Sequence, residues 1–253
     1  MSDKSPFFVG YAAIPAGLKG FLISLALSLI AFFAVTGFLV GATQDDPGNG
    51  AFRFDWRQQS VTGVIEFIPY PVLRVTEGNE RIPEGHTLML TGQGKNTIRA
   101  RMQPMTGDLV TMTGIILKRG DLDMMQVAGG RRGITVAEGA APDLPERESL
   151  GRWRLAGEIC DGKCLAGAMR PGRGLAHKAC ANLCLVGDIP PVFVSSQPIE
   201  GSEFLKMAGA DGTPLPERAY DMIGKYVELE GEIERLGDLL ILRMDVETMA
   251  LMQ

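Results

Sequence analysis

The sequence is poor in the side chains that most enzymes use for catalysis. Its 253 residues include only two histidines and four cysteines. It contains no phosphate loop and no recognisable hydrolase motif, and no set of nucleophile, base and orienting group can be assembled from it. These absences favour a non-catalytic role.

Basic residues are also too few to form a phosphate-binding surface. Lysine and arginine number 25 against 30 acidic residues, which gives a formal net charge of -5. Nucleic-acid binding through counterion release needs clustered lysine and arginine, and single-strand binding adds aromatic side chains beside them. We therefore predict that the chain does not bind nucleic acid.

One long apolar run lies near the N-terminus. Residues 21–42 read FLISLALSLIAFFAVTGFLVGA without a charge, and about 22 residues at about 1.5 Å each cross a hydrocarbon core of about 30 Å. A cleaved secretory signal is the alternative, but its apolar core is typically shorter. The run predicts a retained transmembrane helix after a cytoplasmic or interfacial segment, residues 1–20, in which Pro15 breaks any long helix.

The charges that flank this run predict its orientation. Lys4 and Lys19 precede it, and Asp45 and Asp46 follow it. The positive-inside rule then places the N-terminus in the cytoplasm. We expect a single-pass protein of the inner membrane, with everything after residue 43 in the periplasm.

Within the run, Gly37 and Gly41 form a G-x-x-x-G pattern. Small residues at this spacing let two transmembrane helices approach closely. Small residues are also frequent in single transmembrane helices, so a packing role for the pair and a chance occurrence both stay open.

A repeat is present in the remainder of the chain. The segment MTGDLVTMTGIILKRGDLDMMQV from Met105 aligns without gaps on MIGKYVELEGEIERLGDLLILRM from Met222. Each copy alternates in polarity, reaches a Gly-Asp pair and returns as a second apolar strand, which is typical of a β-hairpin. Each copy also has an earlier strand with a central glycine, Gly63 in one and Gly157 in the other.

The repeat predicts a mainly β fold with two tandem small β-barrels. The number of strands, and a glycine where a barrel strand bends sharply, favour an OB-like barrel for each copy. We assign residues 51–137 to the first barrel and 151–253 to the second. Residues 138–150, which are rich in proline and acidic residues, are assigned to a linker.

All four cysteines lie in a segment that the first copy lacks. The matched first strands are offset by 94 positions and the matched hairpins by 117, so the second copy carries 23 extra residues. This insertion, residues 160–187, contains Cys160, Cys164, Cys180 and Cys184. A site grafted onto one copy of a duplicated scaffold is a common origin of function.

Two disulfides are the first interpretation of these cysteines. An even number of cysteines in an oxidising compartment typically braces a small loop. Bridges across segments fit disulfide geometry better than bridges between cysteines four apart on a helix. Cys160 with Cys184 and Cys164 with Cys180 form a suitable nested pair, although the sequence does not determine the connectivity.

A metal site is the second interpretation. Residues 175–185 predict a short helix that ends at Gly187, and on it His177, Cys180 and Cys184 share a face. Together with Cys160 and Cys164 they supply ligands for zinc or an iron–sulfur cluster. The C-x3-C spacing differs from the usual zinc, Rieske and haem motifs, and a purely structural His177 is the alternative.

Reactive thiols are the third interpretation. Thiol-redox enzymes of the thioredoxin type place C-x-x-C at a helix start, where the helix dipole lowers the thiol pKa. Here the spacing is C-x3-C, and Cys180 lies inside the predicted helix.

Several motifs of the insertion occur together in a known pattern. In order they are C-x3-C, G-x-M-x-P-G-x-G, H-x2-C-A-x2-C and I-P-P. The segment resembles uncharacterised bacterial membrane-anchored proteins, a resemblance that covers about a quarter of the chain and implies no activity. One anchor followed by an OB-like barrel is also similar to the haem chaperone of cytochrome c maturation. Because the His-x-x-x-Tyr of that family is absent here, haem attachment is not implied.

The sequence thus predicts a membrane-anchored accessory subunit or assembly factor with a protein partner in a membrane or periplasmic complex, for which an electron-transfer system is one candidate. No cofactor is predicted under this hypothesis. The alternatives are a metal- or cofactor-handling protein, with zinc or an iron–sulfur cluster, and a thiol–disulfide redox protein.

Overall fold

The computed structural model describes residues 14–43, 48–143 and 145–252. The chain divides into two compact units, Met1–Asp46 and Pro47–Gln253. We call the second of these the β unit.

The first unit contains one helix, α1 (Ala16–Thr43). It begins directly after Pro15, five residues earlier than the apolar run, and so includes Lys19. At about 1.5 Å per residue it is about 42 Å long, more than a hydrocarbon core of about 30 Å requires. The helix is long and apolar enough to cross a membrane.

The other predictions for this region are not settled by the helix. Apart from the helix's own backbone, no described atom lies within 4 Å of a Cβ added to Gly37 or Gly41, so their packing role stays a prediction. Lys4, Asp45 and Asp46, on which the orientation rests, lie outside the described residues, as does most of the predicted segment 1–20.

The β unit consists mainly of strands. In chain order its elements are β1 (Ala51–Phe52), β2 (Gln59–Phe67), β3 (Pro71–Glu77), β4 (Thr87–Thr91), α2 (Arg99–Met102), β5 (Leu109–Arg119), β6 (Leu122–Val127), β7 (Ile134–Val136), β8 (Arg147–Asp161), α3 (Lys178–Val186), β9 (Pro191–Ile199), β10 (Ser202–Gly209), β11 (Tyr226–Leu236) and β12 (Leu239–Leu251). We call β1–β7 the first module and β8–β12 the second module. Because β8 begins at Arg147, the last four residues of the predicted linker are strand.

The second module is a closed five-stranded barrel in the order β10-β12-β11-β8-β9. All its neighbours are antiparallel except β10 and β12, which run parallel. The first module pairs corresponding strands in the same way. Strand β2 pairs with β3 and with β5, β3 pairs with β4, and β5 pairs with β6, all antiparallel. Strands β4 and β6 pair in parallel, as β10 and β12 do in the second module. The sequence repeat is therefore also a repeat of strand pairing.

The matched glycines occupy equivalent places in the two modules. A Cβ on Gly63 would collide with the carbonyl group of Arg74, and one on Gly157 with that of Val194. In each case the obstruction comes from the neighbouring strand, which crosses very close to the glycine. Glycine is therefore required at both positions for this close approach, and the predicted bend of the strand stays a prediction.

An apolar core joins the two modules. Side chains from β3, β5 and β6 pack there against side chains from β8, β9 and β12, with Val72, Leu117, Val192 and Ile241 almost fully buried. The β unit is therefore one packed body.

A histidine bridges the modules beside this core. His86 Nδ1 lies 2.5 Å from Asp238 Oδ2 in the second module, and Nε2 lies 3.1 Å from Asp123 Oδ2 in the first. Burial opposes protonation, but the hydrogen bonds and charges of both carboxylates outweigh it and raise the pKa of His86 to about 9. The charged imidazole thus links the two modules through one carboxylate of each, Asp123 and Asp238.

We predict that this bridge makes the stability of the β unit depend on pH. Because the pKa of His86 is raised from 6.5 to about 9 on folding, its contribution is complete below pH 6.5 and is lost as the pH rises through 9. The loss amounts to at most about 3 kcal/mol. Chemical unfolding of the wild type and of His86→Gln across this range measures it as the difference between the two curves.

The two variants must be compared because the buried amine of Lys206 changes the stability with pH in the opposite direction. Lys206 and His86 line one cavity of about 470 Å³, and burial lowers the pKa of Lys206 to about 7. Its desolvation cost is relieved as the pH rises above that value. A His86→Gln curve parallel to that of the wild type between pH 6.5 and 9 would show that the bridge contributes nothing.

Candidate functional site

The cysteine insertion connects β8 to β9 of the second module. After β8 the chain makes one turn of π-helix (Cys164–Ala168), then a loop, a 3-10 turn (Leu175–His177) and α3, which stops at Gly187. The π turn lies against β1, where a Cβ on Gly167 would collide with the backbone of Ala51. The predicted helix is present and stops at Gly187, but it begins at Lys178 rather than at Leu175. The insertion packs against the first module.

Three of the four cysteines converge. Cys164 starts the π turn, and Cys180 and Cys184 lie one turn apart on α3. Their sulfurs all lie within 4.8 Å of one another, and the Sγ atoms of Cys164 and Cys184 are 3.9 Å apart. Cys164 and Cys184 are buried, whereas Cys180 is partly exposed. We call these three residues the sulfur triad.

A lysine of the first module contacts the sulfur triad. Lys95, in the loop between β4 and α2, places Nζ 2.7 Å from Cys180 Sγ and 3.4 Å from Cys184 Sγ. The same amine donates to the carbonyl oxygen of Cys180 at 3.2 Å. The hydrogen bond to Cys180 raises the pKa of Lys95, as does the bond to Cys184. Nothing in the sequence marked this residue.

A second lysine lies beside the triad and is almost fully buried. Lys163 is 3% exposed, and its Nζ donates to the carbonyl oxygens of Gly92 and Gly94 at 2.7 and 2.8 Å. Burial lowers its pKa, while the charges of Cys184 and Cys164 act in the opposite direction. Two cationic side chains therefore flank the same group of sulfurs.

The two buried sulfurs of the triad differ in acidity. The hydrogen bond with Cys164 lowers the pKa of Cys184 to about 7, and Lys95 contributes in the same direction. The same bond, together with burial, raises the pKa of Cys164. Of these two sulfurs, Cys184 is therefore the more acidic, and the positive charge of Lys95 stabilises its thiolate.

An acid–histidine pair borders the triad. Asp161, fully buried at the end of β8, accepts hydrogen bonds from the backbone N–H of Cys164 at 2.8 Å and from His177 Nε2 at 2.9 Å. His177 is also buried. Asp161, Cys164 and His177 form a second group of donor atoms within 4.8 Å. The sequence had not indicated Asp161, since an Asp-Gly pair after a strand is typical of an ordinary turn.

The fourth cysteine faces elsewhere. Cys160 Sγ donates to Glu158 Oε1 at 3.2 Å, and the side chain packs in the core between the modules. Burial raises its pKa well above the usual value. Cys160 belongs to neither group of converging donors. Of the five ligands expected from the sequence, the structure brings three sulfurs together, whereas His177 lies against Asp161.

The predicted disulfides have no counterpart in the described residues. All four cysteines are free thiols, and the 3.9 Å between Cys164 and Cys184 exceeds the length of a disulfide bond, about 2.05 Å. The neighbour of Cys184 is Cys164 rather than the expected Cys160. The nested pairing stays a prediction.

Comparison with protein-family models, with curated proteins and with solved structures finds no match to this chain. The site must therefore be interpreted from its own chemistry. Three thiols beside two amines can bind a soft metal ion as thiolates, or can exchange with a disulfide.

Proposed function

We propose that this chain is a membrane-anchored, non-catalytic metal-handling protein that holds one soft metal ion at Cys164, Cys180 and Cys184. The observation that supports the proposal is the convergence of three sulfurs within 4.8 Å next to the amine of Lys95. Thiolates are the ligands that soft transition-metal ions prefer. A nearby ammonium group stabilises the thiolate form that binds them.

The sulfur spacing suits a single ion. With metal–sulfur bonds of about 2.3 Å and near-tetrahedral angles, two thiolates on one zinc ion lie about 3.8 Å apart. Cys164 and Cys184 are 3.9 Å apart. An iron–sulfur cluster would place a cage of several atoms between its ligands and hold them farther apart. The spacing therefore favours a mononuclear site over the cluster considered from the sequence.

The scaffold proposed for this site is a pair of OB-like barrels. Both modules pair their strands in the same cyclic order, with one parallel pair, which is the arrangement expected of a five-stranded Greek-key barrel. The insertion occupies the loop after the first strand of the second barrel. Loops at this end of an OB barrel are a usual place for a binding site.

The location follows from α1. We propose that α1 spans the inner membrane once, with the N-terminus in the cytoplasm and the β unit in the periplasm. The support is its length and apolar composition and the lysine near its start.

A protein partner in the same membrane is part of the proposal. The insertion carries exposed apolar side chains, and Leu175, Leu183 and Val186 are each at least 60% exposed. Leu183 lies three residues after the partly exposed Cys180 on α3. Exposed apolar side chains next to a binding site are typical of an interaction surface, which supports an accessory subunit or assembly factor.

Thiol–disulfide exchange is a second candidate. Cys164 and Cys184 need to approach by only about 2 Å to form a bond, and the pKa of Cys184 is lowered to about 7. A catalytic disulfide of this kind would have a reduction potential above those of structural disulfides.

Metal content and thiol state of the full chain separate these candidates. The protein is extracted in mild detergent without reductant, and its metal content and intact mass are measured before and after chelation. We expect one metal ion per chain and four free thiols after its removal. A metal-free protein lighter by two hydrogens would favour the redox candidate, and one lighter by four would restore the pair of disulfides.

A further inference from the structure

The number of donors at the sulfur triad limits the ions that it suits. Asp161 is the nearest carboxylate, but its two oxygens already accept the Cys164 N–H and His177 Nε2. His177 groups with Asp161 and Cys164, not with Cys180 or Cys184. Among the described residues, the triad therefore has three sulfur donors, and no His, Asp or Glu joins all three within 4.8 Å. Zinc in structural sites takes four protein ligands, and zinc with three takes a water as the fourth.

The charges around the triad set a second limit. Three thiolates carry three negative charges, so a monovalent ion leaves two. Lys95 contacts two of the sulfurs, and the buried Lys163 lies close enough for the charges of Cys164 and Cys184 to act on it. Two ammonium groups balance the two negative charges that a monovalent ion leaves on the triad. The buried carboxylate of Asp161 beside Cys164 is held separately, by the Cys164 N–H and His177.

From these two limits we infer that the triad is built for a soft monovalent ion, Cu(I), held by three thiolates with Lys95 as the charge-balancing residue. This inference rests on the proposed metal-handling function and specifies its ion. Binding involves no oxidation or reduction. Each thiol that is still protonated loses its proton to solvent as its copper–sulfur bond forms. Cys180, the one partly exposed member, is the sulfur at which the ion enters.

The inference predicts a preference between two ions. The reduced full chain in detergent is titrated anaerobically with Cu(I) and, separately, with Zn(II), each against a chromogenic chelator of known affinity. We expect one Cu(I) per chain and at least 100-fold weaker binding of Zn(II). X-ray absorption of the copper form should show three sulfur neighbours.

A lysine variant tests the charge argument. Lys95→Gln removes the ammonium group and is expected to weaken Cu(I) binding about 10- to 100-fold, the range for loss of a contact to a metal ligand, while Lys95→Arg retains most of the affinity. Lys118→Gln is the matched control, since the amine of Lys118 donates to Asp123 and not to a sulfur of the triad. It should bind Cu(I) like the wild type. Circular dichroism verifies that each variant is folded.

The outcomes separate this inference from the function on which it rests. Equal or tighter binding of Zn(II), or a fourth light-atom neighbour on copper, overturns the Cu(I) assignment and leaves a metal-binding protein. Failure to bind either ion overturns the proposed function as well. The comparison of ions uses the wild type alone, so it remains decisive if Lys95→Gln does not fold.

Discussion

Replacing Cys184 with serine is expected to abolish stoichiometric metal binding. Its Sγ lies 3.9 Å from that of Cys164 and accepts a hydrogen bond from Lys95 Nζ at 3.4 Å. Serine would leave two sulfurs and a hydroxyl that soft ions bind poorly. Because loss of a mere contact to a ligand costs up to about 100-fold in affinity, loss of the ligand itself should cost more. Competition with a chromogenic chelator measures the effect.

Cys160→Ser is the matched control for this variant. Cys160 is a cysteine of the same insertion and is equally buried, but its thiol donates to Glu158 and lies outside the triad. We expect wild-type stoichiometry and affinity. If Cys160→Ser lost the ion as Cys184→Ser does, all four cysteines would act together, as the sequence suggested, and the arrangement of the triad would be wrong.

The fold was largely predictable because its signals are local. The two hairpins alternate in polarity around Gly-Asp turns, and the structure places those turns at Gly120 and Gly237, both with positive φ. Gly63 and Gly157 were recognisable because the repeat aligns them. The pairing of distant strands, such as β10 with β12, could only be expected by analogy, since a parallel neighbour leaves no signal at short range.

The site was predictable in part. The sequence identified the cysteines, but it placed His177 on one face with Cys180 and Cys184 by assuming a regular helix from residue 175. The first turn is instead a 3-10 turn over Leu175–His177. Its tighter winding changes the direction of the histidine relative to α3, which turns it toward Asp161.

Lys95 could not have been predicted from the cysteine pattern. It belongs to a loop of the other module and reaches the triad only because the modules pack together. That packing is visible at Asp188, which follows α3 and accepts hydrogen bonds from Arg99 and Thr97 of the first module. The loop that carries Lys95 is thereby held against the insertion. A long-range contact of this kind depends on the tertiary fold and not on residue spacing.

Replacing Asp161 with alanine is expected to reduce the free energy of unfolding by about 2 to 6 kcal/mol, since two buried donors lose their acceptors at about 1 to 3 kcal/mol each. The carboxylate is fully buried, and without it the Cys164 N–H and His177 Nε2 lose their acceptors inside the protein. An unsatisfied buried donor bears its full desolvation cost. Urea unfolding of the metal-free chain in detergent, followed by circular dichroism, measures the change.

Two further variants test whether the loss of stability in Asp161→Ala comes from the burial of this hydrogen-bonded carboxylate. Asp211 also accepts hydrogen bonds from a backbone N–H and from a side chain, both of Thr213, but in an exposed turn. Asp211→Ala should therefore unfold at nearly the wild-type urea concentration, because water replaces the lost partner. Asp161→Asn keeps one oxygen for the Cys164 N–H and should be intermediate. Equal stability of Asp161→Ala and Asp211→Ala would mean that the Asp161–His177 pair does not hold the insertion on the barrel. The position of Cys164 relative to α3 would then have to come from packing alone.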